Sequence, residues 1–286
     1  MKTFALLALT LPSALLLGGC ARPAPNGKTL LAYVGAASKP PVEEAAKLYG
    51  GKTGVQVNLV FGGSGHVLAQ MKLAKQGDLY LPGSSDYMEK AKRDGDVFAD
   101  TETIIAYLVP AINVRKGNPH RIRTLRDLTR PGVKVALANP GSVCLGAYAV
   151  EIIEKSCTPE EKEALRRNLI NYTESCEKTA TAISLKMADA VIGWSVFEHW
   201  DPKRIDTVPL PKDQVPRIGY ISVAVSRFTH DRDAAQAFIN FLAGPEGRAV
   251  FARHHYFTTV EEAEHYIGGK KPVGGEYQVP QDWIRD

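Results

Sequence analysis

The chain has 286 residues, 44% hydrophobic and 23% charged, the composition of a folded protein rather than a disordered or fibrous one. A formal net charge of +4, from 35 basic and 31 acidic residues with no long like-charge block, excludes reliance on phosphate neutralisation, so no nucleic-acid partner is expected. Four cysteines without a Cys-x-x-Cys pair exclude a zinc ribbon or a disulfide-dense scaffold.

In chain order, the first expected element is an export signal. Lys2 precedes an apolar run from Phe4 to Leu17, about fourteen residues where a membrane-spanning helix needs about twenty. Leu17-Gly18-Gly19-Cys20 resembles the bacterial lipobox. Residues 1–19 are therefore expected to be a signal peptide, and 20–27 the lipidated Cys20 with a Pro-rich linker. The product would be tethered to a membrane at the periplasmic or extracytoplasmic face of the cell envelope.

From Lys28 onward, short apolar runs alternate with segments of helical spacing, which argues for an α/β architecture. Leu30 to Val34 reads as a strand, followed by Gly35-Ala36-Ala37-Ser38 and a helix through Val42, Ala45, Ala46 and Leu48, with Pro40 and Pro41 in its first turn. Val55 to Phe61 alternates with period two, a second strand; Gly62-Gly63-Ser64-Gly65 then leads into helical spacing at Val67, Leu68 and Met71. Further strands are expected at Leu79 to Leu81, Ala106 to Val114, Val133 to Ala138, Ala190 to Trp194 and Tyr220 to Val225. Further helices are expected at Ala147 to Lys155, Pro159 to Leu169, Thr179 to Met187 and Ala234 to Ala243, and an irregular tail from Gly268. Strand-to-helix turns carrying glycine and serine present free backbone N–H groups and a partial positive charge, a setting that favours an anion or serves as an ordinary capped turn.

Several of these segments line up with one family. Val34-Gly35-Ala36-Ala37-Ser38, Gly54-Val55-Gln56-Val57, Phe61-Gly62-Gly63-Ser64-Gly65, Leu68-Ala69-Gln70, Gly77-Asp78-Leu79-Tyr80 and Ser84-Ser85-Asp86 resemble, in order and spacing, periplasmic molybdate- and tungstate-binding proteins of ABC importers. The likeness continues through Asn139 to Ala149 and Phe241 to Gly247. It implies the two-lobed type II periplasmic-binding-protein fold: α/β, each lobe a mixed sheet flanked by helices, with the ligand cleft between them. It places lobe one at 28–109 and 221–286 and lobe two at 110–220.

By the same resemblance, Ser38 and Ser64 supply hydroxyl donors to a tetrahedral oxyanion, molybdate or tungstate first. Leu145 and Cys176 supply backbone N–H groups, and Trp194 stands where the family has a tyrosine, eighteen residues after Cys176. The chain would then be a monomeric, lipid-anchored solute-binding protein that delivers its anion to an ABC permease, without a cofactor and without catalysis. The resemblance also brings the Cys144 and Cys176 loops close enough for a disulfide, three reduced cysteines being the alternative.

Competing readings rest on single features. Ser64 lies near His66, but a hydrolase elbow needs Gly-x-Ser-x-Gly and the fifth residue here is His66. Cys144 at a helix start has no general base placed beside it by any motif. His66, His199, His230, His254 and His255 offer imidazoles to a metal-binding lipoprotein, without a His-x-x-x-His pair. A lipoprotein for another anion, or a sensor that reports ligand to a signalling partner, would have the same sequence features.

Overall fold

The computed structural model describes residues 28–284; the expected signal peptide, Cys20 and the linker lie outside the described residues. In chain order the first half-fold comprises β1 (Thr29–Gly35), α1 (Lys39–Thr53), β2 (Gln56–Gly62), α2 (Ser64–Ala74), β3 (Leu79–Leu81), α3 (Ser85–Arg93) and β4 (Thr103–Leu108). The second comprises β5 (Pro110–Arg115), β6 (Val135–Ala138), α4 (Cys144–Ser156), α5 (Pro159–Asn168), β7 (Leu169–Thr173), α6 (Cys176–Ser184), β8 (Ala190–Trp194), α7 (Phe197–Trp200) and β9 (Ile205–Pro209). The chain closes with β10 (Gly219–Val225), α8 (Arg232–Ala243), α9 (Pro245–Arg253) and α10 (Val260–Ile267).

Two five-stranded mixed sheets result, ordered β2-β1-β3-β10-β4 and β7-β6-β8-β5-β9. In each, a central strand is parallel to two neighbours, β1 to β2 and β3, β6 to β7 and β8. In each, one antiparallel strand, β10 or β5, arrives from outside the βαβ run. The lobe built on each sheet has helices on its faces, the α/β architecture read from the alternating pattern.

The run expected as one strand at Ala106 to Val114 is two. β4 ends at Leu108 in the first sheet, buried Val109 bridges, and β5 starts at Pro110 in the second. Proline has no N–H to give a ladder, so it suits the first position of a strand. The chain returns to the first sheet between Pro209 and Gly219. The segment from α10 onward, expected with lobe one, packs Ala263, Ile267 and Trp283 into the core that holds Ile112, Val135 and Ile153 of the second lobe. Ala263 and Ile267 are four residues apart on one helix face, and Trp283 gains an acceptor for its indole N–H in Glu154 at 2.8 Å.

The lobes meet across the cleft. Gly65 N donates to Ser142 O at 3.0 Å, Tyr87 Oη to Gly141 O at 2.9 Å, and Lys39 pairs with Glu177 at 2.9 Å. Beside them, Arg217 is buried and donates to Asp86 of α3 through two nitrogens at 2.8 and 3.1 Å, and to Glu151 of α4 at 2.7 Å. Its guanidinium lies 3.8 Å from the centre of the Tyr148 ring. One cation thus ties a helix of each lobe to the strand connection between them.

Candidate functional site in the cleft

The lobe-one wall is formed by strand-to-helix junctions. β1 runs into a 3-10 turn at Ala36–Ser38, and α1 starts at once with its two prolines in the first turn, where a missing N–H costs nothing. Ser38 is buried and its Oγ donates to Gly35 O at 3.2 Å, so its one proton must leave that carbonyl to be donated elsewhere. The turn packs against α6. After β2, α2 begins at Ser64, also buried, whose Oγ accepts from Gly83 N at 3.0 Å. An acceptor role leaves that hydroxyl's proton free to donate. Gly83 has to be glycine: a Cβ there would fall 2.7 Å from Ala37 Cβ and 2.9 Å from Cys144 Sγ. Gly63 is constrained in the same way across the cleft, 2.6 Å from Glu174 O.

The lobe-two wall is formed by two helix starts. Asn139 Oδ1 accepts from Gly141 N at 2.9 Å, turning the chain after β6 so that α4 begins at Cys144. Ser175 caps α6, accepting from Lys178 N at 3.1 Å, and Cys176 is its first residue. The N–H groups of Leu145 and Cys176 therefore fall in first turns, where no intrahelical acceptor exists. Trp194 ends β8, fully buried, edge-on to Tyr148 with ring centres 4.9 Å apart. Its indole N–H has no nitrogen or oxygen partner.

Sulfur fills the middle of this arrangement. The Cys144 thiol lies beside the Cys176 thiol, with the Ser64 and Ser84 hydroxyls next to it. The Cys176 sulfur in turn has the Leu145 N–H and the Trp194 indole beside it. Both cysteines are buried and free, as is half-buried Cys157. The Cys176 thiol, together with the serine hydroxyls, holds the Cys144 thiol below the usual cysteine range against the opposing effect of burial. Cys176 is pushed well up by its neighbour Cys144 and by burial. One proton shared between two sulfurs accounts for the opposite directions.

Ser64, Leu145, Cys176 and Trp194 thus share one neighbourhood around the two sulfurs, while Ser38 is not among the groups beside them, although the turn that carries it packs on α6. Sequence reading did not assign a site role to Ser84, whose Oγ also donates to Asp86 at 3.0 Å, or to Arg217, which pairs with Asp86. Ser84-Ser85-Asp86 at a helix start was the available signal. A cavity of about 720 Å³ opens from the cleft, bounded by Ala36, Gly63, His66, Asn139, Glu174 and Lys178. Glu174 at its rim is neutralised by Lys178, which holds its carboxyl below the ordinary value. Asp189 lies elsewhere, pairing with Arg115 at 2.8 Å. Of the histidines, His199 and His255 stack at 3.7 Å and His254 bonds Glu44 at 2.7 Å. Among the described residues no three His, Cys, Asp or Glu side chains are grouped to hold a metal ion.

Residues 30–257 match the family described as bacterial extracellular solute-binding protein. The chain belongs to that family. A putative binding protein of Haemophilus influenzae is 28% identical over 78% of this chain and 88% of its own length. The molybdate-binding protein ModA of Rhodobacter capsulatus is 26% identical over 84% and 92%. Among solved structures, the sulfate-binding protein SubI of Mycobacterium tuberculosis superposes with a TM-score of 0.72 at 19% identity, covering 85% of this chain and 96% of that one. The solute-binding protein accordingly has the type II fold expected from the sequence, and its relatives are binding proteins, not enzymes.

Proposed function

We propose that this solute-binding protein captures a tetrahedral oxyanion, molybdate or tungstate first, in the cleft and delivers it to an ABC permease while held to the membrane by lipid on Cys20. The observation that carries this reading is the buried Trp194 indole N–H without a nitrogen or oxygen acceptor, beside the first residue of α6. Buried donors are normally paired, so unpaired ones in a cleft mark a ligand's place. Neutral donors suit a dianion, since each hydrogen bond to a charge gains strength when water is excluded.

Ser38 and Ser64 would give hydroxyls, Leu145 and Cys176 backbone N–H groups, and Trp194 its indole. Because both lobes contribute, the bound anion favours the closed arrangement, which is the form a permease can read. The curated relative named for molybdate supports the choice of first ligand.

Isothermal titration with molybdate, tungstate, sulfate, phosphate and chromate tests the reading. Saturable binding of one dianion, lost in the Ser38→Ala/Ser64→Ala double variant, is expected. Binding of none of the five would overturn it.

A further inference from the structure

The two cysteines at the centre of the cleft are not needed for a seat made of hydroxyls and amides, yet they occupy its focus. Each is the first residue of its helix, so each sulfur sits at the positive end of a helix dipole. Every donor assigned to the anion except Ser38 is beside one of the two sulfurs or carried by that cysteine itself. We propose that Cys144 and Cys176 are a reversible dithiol–disulfide pair built into the ligand seat, whose oxidation state sets the free donors that an incoming anion meets. The second half of this inference rests on the oxyanion reading above; the first half does not.

In the reduced pair the two sulfurs are the acceptors that these donors meet, the serine hydroxyls at Cys144 and the Leu145 N–H and Trp194 indole at Cys176. Oxidation joins the sulfurs in a disulfide, a weaker acceptor, and frees the Leu145 N–H, the Trp194 N–H and the serine hydroxyls. The oxidised form is therefore the better anion binder.

The chemistry closes with a small disulfide as oxidant. The Cys144 thiolate attacks one sulfur of oxidised glutathione and expels a glutathione thiolate, which takes up a proton. The Cys176 thiol loses its proton, attacks the mixed disulfide at Cys144 and expels the second glutathione. Two protein thiols become one disulfide, and one glutathione disulfide becomes two thiols. Cys144 is covered from lobe one by Gly83 and Ser64, so the first attack belongs to the opened cleft, and a bound anion slows it.

Peptide mapping of the full chain decides the pairing. After treatment with oxidised glutathione, alkylation and trypsin, the peptide 135–155 should be linked to 168–178, and dithiothreitol should release them. Both peptides recovered alkylated, or either one linked to 156–162, which carries Cys157, would overturn the pair. Titration of the two redox forms with the anion panel reads the consequence. The dissociation constant should be about tenfold lower for the oxidised form, the scale of freeing one hydrogen-bond donor for a charged acceptor. That difference should vanish in Cys144→Ser and in Cys176→Ser. Equal affinity of the two wild-type forms would overturn the coupling. If no anion binds either form, the oxyanion reading falls, and the peptide map still decides the pair by itself.

Discussion

Lobe one faces the cleft with hydroxyls on side chains, while lobe two faces it with sulfur and backbone amides, although the two sheets share one strand order. In lobe one the junctions after β1 and β2 place Ser38 and Ser64 in the wall. In lobe two the junctions after β6 and β7 deliver helix first turns at Cys144 and Cys176. A side-chain donor can be deleted by one substitution, whereas a backbone donor survives any residue but proline. The same topology thus produces one wall that is mutationally fragile and one that is robust, and the experiments below separate them.

The largest effect is expected where the walls are tied together. Arg217→Ala leaves Asp86 buried without its cation and Glu151 with Lys155 alone, each carboxylate less than one-tenth exposed. Breaking a buried pair by removing one partner costs about 3–5 kcal/mol. Urea denaturation should show a loss of that size; a loss under about 1 kcal/mol would mean that water or rearranged carbonyls take over the role of the guanidinium.

Next comes the contrast between the walls. Ser64→Ala removes a donor to a charged acceptor, worth about 1.5–3 kcal/mol, so anion affinity should fall roughly ten- to hundredfold. Ser38→Ala should act similarly. Leu145→Ala keeps the N–H but empties a fully buried site, so it should cost about 2–5 kcal/mol of stability while the folded fraction keeps its affinity. If Leu145→Ala weakened binding as much as Ser64→Ala at equal folded fraction, the backbone assignment in lobe two would fail.

How much of this could be read from residues follows the same division. Ser38 and Ser64 are legible because glycine and serine directly after alternating strands are a local signal, and β1, α1, β2 and α2 fall where that signal puts them. The apolar pattern alone hid the split at Val109, where Pro110 interrupts the run; the family resemblance, which divides the lobes between 109 and 110, was what marked it. Helix α3 was missed because Ser85 to Arg93 is mostly polar and buries Met88 and Ala91 as its only fully apolar contributions. Strands β7 and β9 are edge strands, half exposed and without strong alternation. Arg217, Asp86 and Glu151 could not be paired from sequence, since 131 and 66 residues separate the arginine from its partners.

Trp194 belongs to the lobe-two wall but donates from a side chain, so it sharpens the comparison. Trp194→Phe keeps a flat ring against Tyr148 and deletes the indole N–H together with the five-membered half of the ring. Affinity should fall about tenfold, the value of one hydrogen bond to a charge, and the ligand-induced change in tryptophan emission should disappear. An unchanged dissociation constant would remove Trp194 from the donor set and leave lobe two with backbone amides alone.

The smallest effect concerns the far side of the interface, where His199 of α7 in lobe two stacks on His255, which follows α9 in lobe one, with ring centres 3.7 Å apart and planes 16° from parallel. His199 is held below the ordinary histidine value, first by burial and then by the His255 ring, with Glu198 opposing. A lowered value in the folded protein means that the unfolded chain takes up the proton first as pH falls through about 6.5. The contribution of this pair is thus intact above that pH and is lost progressively as pH drops toward the folded-state value. The Glu198 carboxylate, 3.5 Å from His199 Nε2, softens the loss. Denaturation at pH 7.5 and 5.5 should therefore show a modest fall in stability for the wild type and a smaller one for His199→Gln, which cannot protonate. Equal falls in the two proteins would assign the acid sensitivity to other groups and leave the stacked rings as a packing contact between the lobes.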